Sequence, residues 1–266
     1  MVWDKLLKRM LSIKDRNQVV WITGAGKGIG RSLAIHHAKN GWKVAVTSRT
    51  EKDLISLQNE AEDLPGEIYS YPGDVTDVEN IEILINTIQT NIGSIELAIL
   101  NAGTYIRFGI DTFSVESFRA QIEINTMGTV NCFVPLMHSM KSRRMGHIVV
   151  VSSLSAYRGL PYASAYGASK AALTNMCESL KPELDNFNVK LSVVHPGFVR
   201  TPLTDQNDFK MPFLVNTEFA SKRILAGISR GKFEIIFPCT FALIMKFLRS
   251  LPYSLYFAVT KRLVKK

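Results

Sequence analysis

Seven short apolar runs rich in β-branched residues recur along the chain and constrain its fold more than any other feature. The runs do not alternate polar with apolar residues, which is typical of strands buried on both faces of a parallel sheet. Segments with helical periodicity lie between them, for example residues 29–40, 78–92 and 163–184. Such strand–helix–strand repeats predict an α/β fold: a doubly wound, mostly parallel seven-stranded sheet with helices on both faces. The runs are residues 19–22, 44–47, 68–71, 97–100, 148–151, 191–195 and 233–237.

The chain of 266 residues shows no internal repeat and no interdomain linker, so we predict a single domain over residues 1–266. Three segments depart from the regular pattern: an N-terminal extension (1–17), a long apolar loop (197–216) and a C-terminal tail (240–266). The loop follows the carboxyl end of a predicted strand, where ligands bind in open α/β sheets. We therefore expect it to cover a substrate; a packed surface loop is the alternative.

The net charge of +9 is concentrated near the C-terminus. Basic and acidic residues number 22 each through residue 220, whereas ten basic residues and a single acidic one, Glu234, follow. A nucleic-acid enzyme would spread positive charge along a binding face, so we expect no nucleic-acid partner. No run of about 20 apolar residues is present to span a membrane, and the N-terminus lacks the apolar core of a signal peptide.

Cysteine and histidine spacing favours a reducing compartment and no metal. Cys132, Cys177 and Cys239 lie far apart and form no CxxC pair, which is typical of reduced thiols in a cytoplasmic protein. The five histidines show no metal-binding spacing. We therefore predict cytoplasmic localisation and no metal site.

Leu251, Leu255, Val259 and Leu263 form an i, i+4 apolar stripe in the basic C-terminal tail, and the N-terminal extension mixes leucines with basic residues in a similar way. A basic amphipathic helix can lie on an anionic membrane surface, so peripheral membrane contact through the tail is one interpretation. The alternative is that these helices pack on the protein body or across a dimer interface and leave their lysines in water. The sequence leaves both open.

A glycine-rich turn of spacing GxxxGxG follows the first predicted strand and opens a helix. Glycines allow a tight turn and close approach to a pyrophosphate, which the free N–H groups at the helix N-terminus attract. A glycine turn without a ligand is the alternative, which its position between the first strand and the first helix disfavours. The residues expected to contact a dinucleotide here are Thr23, Gly24, Gly26, Lys27, Gly28, Ile29 and Gly30.

The end of the second predicted strand indicates which dinucleotide binds. NAD-binding folds usually place a carboxylate there for the adenosine ribose, whereas this chain has Ser48 followed by Arg49. Arg49 can bind a 2′-phosphate, and Lys27 can reach the same group. Each cation has the alternative of being a solvated surface charge. Together they predict NADP(H) as the cofactor.

Tyr166 is the one tyrosine followed four residues later by a lysine, Lys170. On a helix that spacing places both side chains on one face, where an ammonium lowers the pKa of a phenol. Ser153 ends a predicted strand thirteen residues earlier, where its hydroxyl can hold a carbonyl oxygen; a helix N-cap is the alternative. The three residues predict proton exchange with a carbonyl or alcohol oxygen.

With these motifs in order, the chain resembles the short-chain dehydrogenase/reductase family, in its branch of single-domain length. The resemblance covers residues 18–201 and implies a Rossmann-type fold. It is carried by the glycine-rich turn (23–30), Asp74, Asn101, Ala102, Gly103, Asn125, Ser153, the segment 166–170, Pro196, Gly197 and Thr201.

The resemblance also implies a role for each of these residues. Asp74 and Val75 would bind the adenine. Asn101, Ala102 and Gly103 would line the ribose side of the cofactor. The segment from Pro196 and Gly197 to Val199 and Thr201 would hold the nicotinamide carboxamide.

For the chemistry, the resemblance implies that Ser153 orients the carbonyl while Tyr166 gives or takes the proton. Lys170 would also bind the nicotinamide ribose, and Asn125 would position a water that relays protons to Lys170. Members of the family are usually dimers or tetramers, so a homo-oligomer is expected.

These expectations define an NADP(H)-dependent oxidoreductase that interconverts a carbonyl and an alcohol on an apolar small molecule. The alternative is a non-catalytic NADP(H)-binding regulator or membrane-attached scaffold. That alternative predicts loss of Tyr166, Lys170 or Ser153, and all three are present.

Overall fold

The computed structural model describes residues 18–205, 209 and 211–264. The predicted N-terminal extension (1–17) and the last two lysines of the tail lie outside the described residues. The strands are β1 Val19–Thr23, β2 Lys43–Thr47, β3 Glu67–Ser70, β4 Ile95–Leu100, β5 Gly146–Val151, β6 Val189–Pro196 and β7 Glu234–Phe237. The helices are α1 Gly28–Lys39, α2 Glu51–Glu60, α3 Val78–Asn91, α4 Val115–Ile122, α5 Gly128–Arg143, α6 Ser164–Asp185, α7 Thr217–Ser229, α8 Cys239–Ser250 and α9 Tyr253–Thr260.

The seven strands form one sheet in the order β3-β2-β1-β4-β5-β6-β7. Every neighbouring pair is parallel, for example β1 with β4 and β5 with β6. The prediction of a doubly wound seven-stranded sheet is therefore confirmed, and the sheet is wholly parallel. Each predicted strand is present, with ends shifted by at most a few residues.

Alternate residues of each strand pack into two separate apolar layers. In β1, Val19 and Trp21 join a core with α3, α5 and α6, whereas Val20 and Ile22 join one with α1, α2 and α7. Burial on both faces explains why the runs lack a polar–apolar alternation. The Trp21 indole N–H donates to the Thr47 hydroxyl at 2.9 Å, so the polar atom of this buried ring is satisfied.

The strand order reverses between β1 and β4, and this switch point locates the crevice in which such sheets bind ligands. The carboxyl ends of β1, β4, β5 and β6 open toward the same edge because all four are parallel. The predicted turn, amide and serine residues follow these ends. The topology thus gathers residues that are distant in sequence.

In the part of the loop of residues 197–216 that the structure describes, its two ends lie side by side. Val199 and Val215 form an isolated parallel bridge, with Arg200 N–H donating to Val215 O at 2.8 Å and Val215 N–H to Phe198 O at 3.0 Å. The Phe198 ring stacks on Phe241 of α8 at 5.6 Å. The loop is therefore anchored on the C-terminal helices.

The tail forms two helices, α8 and α9, separated at Pro252. Of the two interpretations of its i, i+4 stripe, packing on the body of the same chain does not apply to Leu255, Val259 and Leu263, which are exposed. The packing face consists of Tyr256 and Thr260 instead. This face can pack on the body in place of the predicted stripe because α9 is apolar on nearly all sides. Among the described residues no helix is long and apolar enough to cross a membrane.

Phe133 tests the contribution of the α5 layer to stability, because its side chain is 1% exposed in the core beneath β4 and β5. We expect Phe133→Ala to lower the free energy of unfolding by about 3–5 kcal/mol through lost burial and a residual cavity. Val134→Ala, one residue along on the exposed side, should cost about 0.5 kcal/mol or less. Urea unfolding measures both, and equal losses would contradict the packing described.

Candidate functional site

The glycine-rich turn packs so closely that side chains are excluded. Gly24 has φ +64°, and a Cβ there would lie 2.8 Å from the Ala102 Cα. A Cβ on Gly30 would lie 2.5 Å from the Gly24 carbonyl oxygen. The α1 N-terminus begins at Gly28 without a side-chain cap from Lys27, and uncapped N–H groups at a helix N-terminus attract anions. Binding of a pyrophosphate by this turn stays a prediction.

Thr23 and Asn101 join the turn to the end of β4. The Thr23 hydroxyl accepts from the N–H groups of Asn101 at 3.0 Å and Ala102 at 3.1 Å. The Asn101 amide donates to the carbonyls of Thr23 at 3.1 Å and Gly24 at 3.2 Å. Asn101 is therefore fixed by the switch point and supports the turn.

Ser48 and Arg49 follow β2 beside the turn, as predicted, and Arg49 is exposed. Lys27, 61% exposed at its side chain, lies 3.2 Å from the Asp53 carboxylate. A Cβ on Gly26 would meet both Asp53 and the Ser48 hydroxyl, so Asp53 belongs to this corner of the site. The sequence prediction did not include Asp53, because this residue lies in α2 and approaches the turn only in the folded chain.

Asp74 lies after β3 in a local turn. Its Oδ1 accepts from the Thr76 N–H at 3.0 Å and the Thr76 hydroxyl at 2.9 Å, which orients the carboxylate. The Val75 carbonyl accepts from the Asn131 amide at 2.9 Å. These bonds fix the backbone that is expected to meet the adenine; the adenine role itself stays a prediction.

Tyr166 and Lys170 share one face of α6. The Lys170 Nζ lies 5.9 Å from the centroid of the Tyr166 ring and donates to the Val151 carbonyl at 2.8 Å. Lys170 is 4% exposed, and burial lowers its pKa to about 8. The spacing thus brings the two groups together as predicted.

The expected lowering of the Tyr166 pKa by Lys170 is wrong. Burial raises the pKa of the Tyr166 phenol, a hydrogen bond with Ser153 lowers it to a smaller extent, and nearby Tyr105 raises it. Desolvation acts on both groups: it disfavours the phenolate and also the ammonium that would stabilise it. The phenol is therefore protonated at neutral pH.

Ser153 forms the cap that the sequence offered as the alternative role, and its role toward a carbonyl oxygen stays a prediction. Its Oγ caps a 3₁₀ turn, Leu154–Ala156, by accepting from the Ser155 N–H at 3.2 Å, and it exchanges a hydrogen bond with the Ser155 hydroxyl at 2.7 Å. The same side chain bonds Tyr166. Capping fixes the hydroxyl next to the phenol.

Asn125 is fully buried in a π-helical turn, Glu123–Met127. Its amide donates to Thr104 O and Ser169 Oγ, both at 3.0 Å, and its Oδ1 accepts from Thr104 N–H at 2.7 Å. A Cβ on Gly103 would lie 3.1 Å from Asn125 Oδ1 and 3.4 Å from Lys170 Nζ. Glycine leaves this gap open between the two side chains; the water relay stays a prediction.

A buried hydrogen-bond chain holds the helix that carries Lys170. Ser152 Oγ donates to the Lys170 carbonyl at 2.8 Å and meets Thr174 Oγ1 at 3.0 Å, which meets His195 Nε2 at 3.0 Å. Burial lowers the pKa of His195 to about 4, so its ring is neutral at neutral pH. The sequence reading missed Thr174 and His195, because neither belongs to a motif.

These residues surround a cleft with a cavity volume of about 110 Å³. Ser153, Tyr166 and Lys170 line one side, and Ile29, Asn101 and Gly103 line the side of the glycine turn. The segment after β6 completes the wall with Pro196, Gly197, Val199 and Thr201. Asn125 lies behind the wall, whereas Arg49, Asp74 and Val75 lie outside it along the second and third strands.

Thr204 and Leu203, from the predicted loop of residues 197–216, also line the cleft, and Tyr105 packs against the Tyr166 ring. Thr204 donates to Val199 O at 2.7 Å and accepts from Thr201 N–H at 2.9 Å, so it fixes the predicted carboxamide segment. Leu203 contributes apolar lining. The Tyr105 ring packs edge-on against Tyr166 at 5.0 Å. These residues lie in loops whose paths only the fold defines.

Comparison with known sequences extends these observations. The family model described as short chain dehydrogenase matches residues 18–211. An uncharacterized oxidoreductase from Myxococcus xanthus is 34% identical over 242 residues, covering 91% of this chain and 96% of that protein. The 3-oxoacyl-[acyl-carrier-protein] reductase FabG from Thermotoga maritima is 32% identical over 216 residues, covering 81% and 84%.

Solved structures share the fold. A short-chain dehydrogenase/reductase from Burkholderia phymatum in complex with NAD superposes with a TM-score of 0.79 at 22% identity, covering 86% of this chain and 92% of that one. An alcohol dehydrogenase from Thermococcus sibiricus complexed with 5-hydroxy-NADP gives a TM-score of 0.75 at 22% identity, covering 83% and 95%.

The burial of Lys170 predicts a pH-dependent stability. Its folded pKa is about 8 and its ordinary value is 10.5, so the unfolded chain binds more protons between these values. The contribution of Lys170 to the free energy of unfolding therefore rises with pH across that window and is constant below it. Relative to Lys170→Met, the parent should gain stability as the pH rises from about 8 to about 10.

Urea unfolding at several pH values measures this difference. Lys190→Met, at an exposed position, is the matched control and should differ from the parent by an amount independent of pH. A Lys170→Met difference that stays flat with pH would contradict the burial of a charged group at this position.

Proposed function

This chain is an oxidoreductase of the short-chain dehydrogenase/reductase family, and from that premise we propose that it interconverts a carbonyl and an alcohol with NADP(H). The observation that carries the proposal is the meeting of Ser153, Tyr166 and Lys170 on one wall of a cleft. The opposite wall is an uncapped helix N-terminus behind a glycine-rich turn. Tyr166, the proposed proton donor, is therefore opposite the turn proposed to bind the dinucleotide.

The residues present fit a nicotinamide dinucleotide. The turn of residues 23–30 would hold the pyrophosphate, and Asp74 and Val75 would hold the adenine. Lys170 and Gly103, which both line the cleft, would meet the nicotinamide ribose, and Val199 and Thr201 would bind the carboxamide. When bound, the cofactor supplies or accepts the hydride.

In the reduction direction the side chains hold the substrate and deliver a proton. Ser153 donates to the carbonyl oxygen, and Tyr166 donates its phenolic proton to the same oxygen as the alkoxide forms. Burial raises the pKa of Tyr166 and so keeps that proton available at neutral pH. Lys170, with a pKa of about 8, is largely protonated at neutral pH, and it can return a proton to Tyr166 on the same face of α6.

An apolar substrate fits the surroundings of the cleft. Leu203 lines it, and in the same loop Phe198 and Phe213 pack against Phe241. The similarity to a protein named 3-oxoacyl-[acyl-carrier-protein] reductase supports carbonyl reduction as the reaction. We take the loop of residues 197–216 as the substrate cover.

NADP(H) is proposed over NAD(H) because Arg49 follows β2 where a ribose-binding carboxylate would otherwise stand. Lys27 adds a second cation, although its pairing with Asp53 offsets part of that charge. Arg49 is accordingly the main determinant of the preference.

For the cellular context, we propose a cytoplasmic homo-oligomer, a dimer or a tetramer, with a small-molecule substrate and no nucleic-acid partner. The three free cysteines fit a reducing compartment: Cys132 and Cys177 are buried and Cys239 is exposed.

The reaction is tested by NADPH oxidation over a panel of aliphatic, aromatic and acyl ketones. The parent should oxidise NADPH with at least one class, and Tyr166→Phe should lower turnover by about 100-fold or more while NADPH still binds. Tyr105→Phe, which removes the hydroxyl of the ring packed against Tyr166 but keeps the ring contact, should retain most activity. Turnover by Tyr166→Phe near the parent rate would contradict its role as proton donor.

The cofactor preference is tested by titrating NADPH and NADH against two variants. Arg49→Asp should weaken NADPH by about tenfold or more, because a carboxylate then faces the 2′-phosphate, and should change NADH by about twofold or less. Asp53→Asn should tighten NADPH by about twofold to fivefold, because it frees Lys27. Equal losses of both cofactors in Arg49→Asp would refute the 2′-phosphate assignment.

A further inference from the structure

The two C-terminal helices present large apolar side chains to solvent. Nine of the 21 exposed large apolar side chains in the described residues lie between residues 243 and 264. Leu243 is 67% exposed, Phe247 62% and Tyr253 68%. We call this group the apolar patch. Its members are Leu243, Ile244, Phe247, Tyr253, Leu255, Phe257, Val259, Leu263 and Val264.

The buried residues that pack α8 and α9 on the body lie outside the apolar patch. The inner side of α8 is formed by Ala242 and Met245, which are buried against Leu154 and Tyr157. Tyr256 and Thr260 form the inner side of α9. Soluble monomers rarely expose an apolar surface of this extent without a partner for it. The exposed residues therefore indicate a binding surface.

Arg158 anchors α9 so that the patch is held in place. Its guanidinium lies 4.5 Å from the ring centroids of both Tyr253 and Tyr256 and donates to the carbonyls of Arg249 and Leu251. Tyr253 and Phe257 stack on each other at 5.7 Å on the outer side. The part of the apolar patch on α9 is thus held in position by contacts with the body.

The charged side chains of the segment that carries the apolar patch are all basic. Residues 239–266 contain six basic residues and no acidic one. Lys246 is paired with Glu234 at the inner side, whereas Lys261 and Arg262 are exposed directly after α9. A second copy of this chain would bring like charges together across the interface, which disfavours self-association.

From this combination we propose that the apolar patch docks on an anionic membrane surface. Leucine and aromatic side chains enter the boundary between headgroups and acyl chains, while the adjoining lysines and arginine bind anionic headgroups. Tyrosine suits that boundary because it combines an apolar ring with a polar tip. The docking is peripheral, and it does not depend on the proposed reaction.

Helix α8, which carries part of the apolar patch, also contacts the loop of residues 197–216. Phe241, on the inner side of α8, stacks on Phe198 at 5.6 Å and on Phe213 at 6.0 Å. The outer side of the same helix carries Leu243 and Phe247. Docking therefore brings the loop of residues 197–216 near the lipid surface.

Vesicle flotation of the full chain tests the proposal. Vesicles of phosphatidylcholine with phosphatidylglycerol should bind the protein at low salt. Vesicles of phosphatidylcholine alone should bind little of it, and high salt should release most of the bound protein. Leu243→Glu with Phe247→Glu should weaken binding by about tenfold or more, as should Lys261→Glu with Arg262→Glu. Ile83→Glu, an apolar position 64% exposed on α3, and Lys39→Glu with Lys190→Glu should bind like the parent.

Unchanged circular dichroism and NADPH binding establish that each variant is folded, and sedimentation measures self-association. Failure of the parent to float with anionic vesicles would overturn the proposal. Equal binding by the patch variants and their controls would do the same. A patch variant that dissociates an oligomer while vesicle binding is unchanged would assign the apolar patch to a second copy instead.

Discussion

The hydrogen bonds between Thr23 and Asn101 join the carboxyl ends of β1 and β4 at the point where the strand order reverses. They hold the glycine turn in place through the carbonyl of Gly24. They also determine the path of the chain through Gly103, whose missing side chain leaves the gap beside Lys170. Both walls of the cleft therefore depend on this junction.

Burial sets the electrostatics of the opposite wall. It raises the pKa of Tyr166 and lowers that of Lys170, so both groups shift toward their neutral forms. The fold tolerates a buried lysine because its Nζ donates to the Val151 carbonyl and its backbone is held by Ser152. A protonated phenol beside a lysine that is partly deprotonated near pH 8 is suited to pass a proton to an oxygen atom.

The sequence predicted the sheet well because strands buried on both faces leave an unambiguous apolar pattern. It also located Tyr166, Lys170 and Ser153, since helical spacing and a strand end are local features. Asp53, Thr174 and Tyr105 were missed because their relevance arises from contacts between elements far apart in the chain. The direction of the Tyr166 pKa was wrong for the same reason: desolvation depends on everything that packs around the phenol, whereas the spacing reports one neighbour.

Hydride transfer is the central claim, and isotope labelling tests it most directly. NADPH carrying deuterium at both C4 positions of the nicotinamide would be incubated with a ketone that the protein consumes. The account predicts one deuterium on the carbinol carbon of the alcohol product, since the hydride comes from the cofactor and the proton from Tyr166. An alcohol without deuterium at that carbon, or NADPH oxidation without alcohol formation, would contradict it.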